Sequence, residues 1–374
     1  MSTSNTTIKS GITAAPAPPA GPKRIDEFLK DVLMKNGSDL HFIAGDPPRI
    51  RLYGELHPLR PEAMTAQFVQ EVLMEIMPPA AKLRLEQHHG ADFAYLIPGV
   101  SRFRVNVMRQ LNGLGAVCRA IPSKALTLDE LAMPEAVRAL CRTNQGLILV
   151  TGKTGSGKST SLAAMIDDIN SREKGHILTI EDPSEFVHTR KQCLISQREI
   201  GTHSPSFSTA LLSALREDPD VILVGELRDY ETMSIAVTAA EMGILVMGTL
   251  HTNGAAATVD RMVNSFPADK QSHVRAMLST SLRGVISQQL IPRASKKGRV
   301  AALEIMVNTP AVANLIRQGK LDQLENTMQS GAQHGMRVMD SAIQELLDKG
   351  VINGKEAYKK AINKTKFEHL KDMG

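Results

Sequence analysis

The sequence predicts an α/β fold: a larger domain on a parallel sheet, preceded by a smaller α+β module and closed by a helical tail. Three observations carry this. Four short apolar runs, separated by amphipathic helices, lie between residues 147 and 247. A glycine-rich turn at 152–159 joins the first run to a helix. Ahead of them, residues 25–120 alternate between short strand patterns and a few helices. With 374 residues and about 150 per domain, two or three domains are expected. We place a leader at 1–22, a first domain at 23–121, a linker at 122–127 and the larger domain at 128–374.

The leader is Ser, Thr, Ala, Pro and Gly, with AAPAPPA at 14–20, a flexible or polyproline-like composition. Ile25, Phe28, Leu29, Val32 and Leu33 then mark one face of a helix over 25–35, stopped by Gly37. Residues 38–42 alternate as a strand, 45–48 (Gly-Asp-Pro-Pro) form a turn, and 49–52 form a second strand. A turn at 53–55, a helix at 66–77 and strands at 92–96, 101–109 and 113–120 complete the module. Beyond residue 126 the runs 147–150, 177–180, 221–224 and 244–247 are Ile-, Leu- and Val-rich without polar alternation. That pattern belongs to strands buried on both faces, as in a parallel sheet. Phe207, Ala210, Leu211, Ala214 and Leu215 illustrate the intervening helices, all on one face. From Pro310 the pattern is helical, over 312–319, 321–330, 339–349 and 355–363.

Composition narrows the function. Hydrophobic residues make up 42% and charged residues 22%, so the chain as a whole is globular. Lys+Arg 44 against Asp+Glu 39 gives +5, a mild excess compatible with phosphate or acidic partners. Three cysteines without a Cys-x-x-Cys pair build neither a disulfide framework nor a zinc module and fit a reducing compartment. There is no Trp, with four Tyr and nine Phe, which disfavours a stacking surface for single-stranded nucleic acid. No apolar run approaches the ~18 residues of a membrane span, and no signal-peptide core is visible. The expectation is a cytoplasmic protein able to touch a membrane from inside.

Gly152-Lys153-Thr154-Gly155-Ser156-Gly157-Lys158-Ser159 matches the phosphate-loop pattern, in the strand–loop–helix setting it requires. Its glycines let backbone amides turn inward around phosphates, and the helix start adds positive potential. Lys158 is expected on the β- and γ-phosphates of a nucleotide and Ser159 on Mg²⁺. Gly152, Thr154, Gly155, Ser156, Gly157 and Thr160 complete the cradle. Open α/β sheets bind ligands at the carboxyl ends of their strands. There the runs end in Glu181-Asp182-Pro183, Gly225-Glu226 and Thr249-Leu250-His251. Glu226, just past its strand, is a candidate general base. Gly225 stands where such strands normally end in a Mg²⁺-holding aspartate. His251 is the remaining polar candidate.

Taken in order, these blocks resemble the secretion ATPases, which include type IV pilus motors, type II secretion ATPases and type IV secretion traffic ATPases. The four blocks are 152–159, Thr179-Ile180-Glu181-Asp182-Pro183, 218–229 (DPDVILVGELRD) and Gly248-Thr249-Leu250-His251-Thr252-Asn253. They match that family's Walker A, Asp box, Walker B and His box. Gly37-Ser38-Asp39-Leu40-His41 and Arg102-Phe103-Arg104-Val105-Asn106 resemble its PAS-like N-terminal domain. The resemblance runs from 25 to 367 and is nearest to the PilT-type retraction branch. The chain shows neither the extra N-terminal domain nor the four-cysteine zinc module of the assembly ATPases. Residues 311–320 (AVANLIRQGK) resemble a stretch that marks retraction motors, departing at Val312, Ala313 and Gln318. Met242-Gly243-Ile244 stands where the family has Thr-Gly-His, and a PilU-type paralogue stays open.

The resemblance implies a RecA-like domain that hydrolyses ATP with Mg²⁺ in a ring-shaped homohexamer. It implies Glu226, Glu181 and His251 as catalytic residues and Ser159, with Glu181 or Asp182, as metal holders. Arg104 and Arg119 of the first domain would reach the γ-phosphate of a neighbouring subunit, with Arg102 and Arg109 behind them. The implied partners are an inner-membrane pilus platform protein and a paralogous retraction ATPase. The protein would be peripheral at the cytoplasmic face, with no nucleic acid, driving pilus retraction and twitching. Two other functions stand beside this: a regulatory ATP-binding subunit that hydrolyses little, and a DNA translocase.

Overall fold

The computed structural model describes residues 22–52, 55–121, 125–295 and 298–371. The expected leader up to 21, the turn at 53–54 and residues 122–124 of the expected linker lie outside them. The chain divides into two compact units, one ending at Ile121 and the other beginning at Pro122.

The first unit holds strands β1 (Asp39–Ile43), β2 (Arg49–Leu52), β3 (Glu55–Pro58), β4 (Gly90–Ile97), β5 (Ser101–Gln110) and β6 (Gly113–Ile121). They form one antiparallel sheet in the order β3-β2-β1-β6-β5-β4. Alternation along β5 buries Phe103, Val105 and Val107 and turns Arg102, Arg104 and Asn106 outward. On the inner face the helices Arg24–Met34 and Ala66–Ile76 add Phe28, Leu29, Val32, Val69, Val72 and Leu73 to the core. Each such side chain is worth about 1.5–3 kcal/mol of burial. The second helix starts where the Thr65 hydroxyl accepts the Phe68 amide at 3.2 Å. Two elements differ from expectation. Glu55, expected in a turn, opens the exposed edge strand β3. A helix at Pro79–His88 buries only Ala81 and Leu85, too little for an apolar stripe.

The second unit holds β7 (Gly146–Thr151), β8 (His176–Glu181), β9 (Leu194–Glu199), β10 (Val221–Val224), β11 (Leu245–Leu250), β12 (Leu282–Pro292) and β13 (Arg299–Val307). Their order is β13-β12-β7-β11-β10-β8-β9. All pairings are parallel except that of β13 with β12. The four apolar runs are β7, β8, β10 and β11, and both faces are covered as their composition requires. Leu147 and Leu149 pack into the layer of Ala236 and Val259. Ile148 and Val150 pack into the opposite layer, with Leu162 and Ile166. The sequence patterns did not foresee β9, β12 or β13. After them come the expected helices, Pro310–Gln318, Leu324–Ser330, Met339–Asp348 and Gly354–Lys360. A satellite cluster of Ile291, Ala302, Met339, Ile343, Ala357 and Phe367 seats the last two of them on β12 and β13.

Candidate functional site

Strand order decides what meets at the carboxyl edge of the second sheet. Thr151 of β7 lies beside Leu250 of β11, Gly248 of β11 beside Val224 of β10, and Val224 beside Ile180 of β8. The phosphate loop, His251, Gly225-Glu226 and Glu181-Asp182 therefore leave four adjacent strands in that spatial order. Chain order would separate them.

The loop leaves the fully buried β7 and enters the helix Lys158–Arg172, whose amino end carries Ser159 and Thr160. Gly157 caps this helix with φ +90°, and a Cβ there would lie 2.7 Å from Gln288 Nε2. Only glycine satisfies both demands. The Lys158 ammonium donates to the carbonyls of Gly152 (2.8 Å) and Lys153 (3.4 Å). Burial pushes its pKa down, against the pull of the Glu226 and Glu185 charges. The Ser156 hydroxyl is buried without a hydrogen-bond partner among the described residues, an orphan donor inside a loop shaped for oxyanions.

Glu226 is clasped from two sides. Arg228 reaches one oxygen at 2.7 Å and His251 Nε2 the other at 3.2 Å. Burial works against the charge, but the Arg228 guanidinium and His251 outweigh it and hold the carboxyl below the usual carboxylate range. His251 Nδ1 faces the Thr154 hydroxyl at 3.4 Å, so the histidine spans from the loop to the carboxylate. Glu181 accepts from the Thr179 hydroxyl at 2.8 Å, and burial pushes its carboxyl pKa up. Gly225 lies against it. A Cβ at Gly225 would stand 3.2 Å from the Ile180 carbonyl and 3.3 Å from Glu181 Cα. A side chain at Gly225 would require this neighbouring backbone to give by a few tenths of an ångström.

Arg104 and Arg119 belong to the first unit. They stand directly opposite across β5 and β6. Arg119 pairs with the buried Asp39 at 2.8 Å and Arg104 with Asp92 at 3.7 Å. Arg102 shares the outward parity of Arg104, whereas Arg109 has the opposite parity.

Sequence reasoning missed three groups. Arg228 was within a recognised block but had no role. Gln288 of β12 is buried, donates to the Ser156 carbonyl at 2.6 Å and accepts from the Ser161 hydroxyl at 2.8 Å. It braces the loop from the next strand. Ser287 and Glu304 anchor the segment after His251. The one available signal was the polar triplet 287–289 inside an otherwise apolar stretch. A cavity of about 480 Å³ opens beside the loop, with Leu290, Arg299, Glu304, Met339, Lys359 and Ile362 in its wall.

A phosphate loop at the carboxyl edge of a mostly parallel sheet, with a clasped carboxylate two strands away, defines a P-loop nucleotide-binding protein. A family model described as "Type II/IV secretion system protein" matches residues 20–368. The type IV pilus retractation ATPase PilT of Pseudomonas aeruginosa is 49% identical over 337 residues, 90% of this chain and 98% of that protein. The type IV pilus ATPase PilU of the same organism is 39% identical over 332 residues, 89% and 87%. A crystal structure of the pilus retraction motor PilT with bound ADP superposes with a TM-score of 0.87 at 40% identity, covering 94% of this chain and all of that one. The chain belongs to the type II/IV secretion system protein family, in its PilT-type branch of pilus retraction ATPases.

Proposed function

We infer that this chain is the ATP-hydrolysing motor of a type IV pilus machine, one that drives pilus retraction and twitching motility. The observation that carries the reading is Glu226, held ionised between Arg228 and His251 two strands from the Lys158 loop. Phosphoryl transfer needs positioned charge more than covalent chemistry. Lys158 and the loop amides bind the phosphates, and the Ser156 hydroxyl, without a hydrogen-bond partner among the described residues, is a further donor to them. The cavity beside the loop, walled by Leu290, Arg299 and Met339, accommodates the nucleoside. Glu226 orients a water for attack on the γ-phosphorus. The bond to the leaving phosphate oxygen breaks, and ADP and phosphate result.

No group of three or more His, Cys, Asp or Glu side chains suited to a metal occurs among the described residues. The donor set therefore fits Mg²⁺ only when nucleotide oxygens complete it, the usual arrangement for this ion. Ser159 would hold it with Glu181 or Asp182, and the ion would supply charge neutralisation between the β- and γ-phosphates.

In the same reading the second unit is a RecA-like domain and the first a PAS-like domain, with boundaries at 23–121 and 128–374. The motor is a homohexamer in which Arg104 and Arg119 of one subunit complete a neighbour's site. Two cations directly opposite on a sheet repel, and an incoming polyanion relieves that repulsion. The ring works at the cytoplasmic face of the inner membrane, on a pilus platform protein, alongside a paralogous ATPase. No helix of the described residues is long and apolar enough to cross a membrane.

The test is Glu226→Gln. It should retain ATP binding and lose turnover by about 10²-fold or more, the usual worth of a positioned base. Unchanged turnover would reject Glu226 as the group acting on water. A wild-type chain without measurable turnover would return the regulatory reading.

A further inference from the structure

Glu304, a buried carboxylate on the edge strand β13 of the second sheet, takes no part in the chemistry assigned so far. Ser287 of β12 and Glu304 of β13 are directly paired across the two strands, at 2% and 7% exposure. The Ser287 hydroxyl accepts the Gly254 amide at 2.9 Å. One Glu304 oxygen accepts the next amide, Ala255, at 2.7 Å, and the other accepts Met339 N–H at 3.1 Å. Ala255 and Met339 each begin a helix, Ala255–Asn264 and Met339–Asp348. Glu304 thus sits at the positive ends of two helices at once.

A buried carboxylate is costly unless its bonds require charge, and burial pushes this one's pKa up against the pull of both amides. A glutamine could accept only one amide and would turn its NH₂ on the other. The geometry therefore calls for a carboxyl, with one accepting oxygen for each amide, where an apolar rung of the sheet would ordinarily suffice. What the rung holds is the end of the segment that leaves β11 with His251. That segment has only four residues between β11 and Ala255. His251 itself is exposed and held by one contact at 3.2 Å and one at 3.4 Å.

We propose that Ser287 and Glu304 are positioning residues for His251. They clamp the Gly254–Ala255 amides, which keeps the imidazole between Thr154 and Glu226, and they tie that segment to the helix Met339–Asp348. The proposal rests on the reading in which His251 and Glu226 act in ATP hydrolysis.

A double-mutant cycle on the full chain tests it. ATPase kcat and KM are measured for wild type, Ser287→Ala, His251→Ala and the pair, with melting temperatures of each. Ser287→Ala removes one bond and should leave the fold intact. Misplacing a reacting group slightly is expensive, so kcat should fall about 10-fold or more with KM changed by less than about 2-fold. In the His251→Ala background the same substitution should have no further effect on kcat. Glu304→Gln is the stronger variant and should behave alike where it folds; where it does not, the Ser287 cycle decides. A Ser287→Ala loss that persists without His251, or wild-type kcat in Ser287→Ala, overturns the proposal. His251→Ala with wild-type kcat refutes the role of His251 itself and takes the proposal with it, a distinct result.

Discussion

Replacing Gln288 with Met keeps the volume of a side chain that is 2% exposed and removes both ends of its amide. The Ser156 carbonyl then loses its 2.6 Å donor and the buried Ser161 hydroxyl its 2.8 Å acceptor. Each buried group left unsatisfied costs about 1–3 kcal/mol, so the loss of stability is about 2–6 kcal/mol. In a unit of this size each kcal/mol moves the melting temperature by about 2–4 °C. A drop of roughly 10 °C is expected. Nucleotide should also bind more weakly. Ser156 lies inside the phosphate loop, and a loop no longer held from β12 must be ordered by the ligand. If a third to a half of the lost stability is recovered on binding, Kd for MgATP rises about 10-fold. The assay is calorimetric titration in the Glu226→Gln background, where ATP persists, with thermal unfolding of the same proteins. Ile316→Ala is the control. Fully buried in the helix Pro310–Gln318, it should cost about 2–5 kcal/mol and leave Kd alone. A Gln288→Met protein with unchanged Kd, or one whose Kd changes no more than that of the Ile316→Ala protein, would refute the bracing role.

Three further outcomes follow from the same geometry. Gly225→Asp, which restores the usual acidic residue, should destabilise by about 1–3 kcal/mol through overpacking, because its Cβ would meet the Ile180 carbonyl and Glu181 Cα at 3.2 and 3.3 Å; a rise in turnover would show that space is available. Burial disfavours the Asp39 charge, but Ser38 and Arg119 prevail and hold its carboxyl below its ordinary 3.8. Its stabilisation is therefore present above that pH and lost as pH falls through the lowered value. The melting-temperature gap between wild type and Asp39→Asn should stay constant from neutral pH to about 4 and close below, and a gap that closes near pH 6 would contradict the pairing. Finally, mixing Arg104→Gln with Lys158→Ala subunits should restore part of the ATPase activity if neighbouring subunits share a site; a mixture as inactive as its components, in rings shown to exchange subunits, would reject sharing.

What could be read from the sequence, and what could not, divides along one physical line. The phosphate loop was legible because its ligand groups are backbone amides of one contiguous turn, so spacing along the chain is spacing in space. β7, β8, β10 and β11 were legible because hydrophobic layers on both sides demand unbroken apolar runs. β9 pairs only with β8 at the edge and has no such demand on its outer side. β12 and β13 failed for a different reason. Their buried positions include Ser287, Gln288 and Glu304, and a polar triplet inside an apolar stretch resembles a loop. These side chains are buried and polar because each satisfies a backbone group of the site: the Ser156 carbonyl, the Gly254 amide and the Ala255 amide. The departure from strand-like patterning is therefore itself a functional signal. The contact of His251 with Glu226 was hidden for a topological reason, since β11 lies between β7 and β10 while chain order places β10 before it. Arg104 and Arg119 illustrate the converse. A hairpin closed at residues 111–112 fixes its own register, so a count along β5 and β6 brings the two arginines opposite each other. Asp39 and Asp92 each engage one of them, and the pairing is uneven: close and buried for Asp39, long and exposed for Asp92. Of the two arginines, Arg104 is thus the less firmly held and has less to give up on turning to a phosphate.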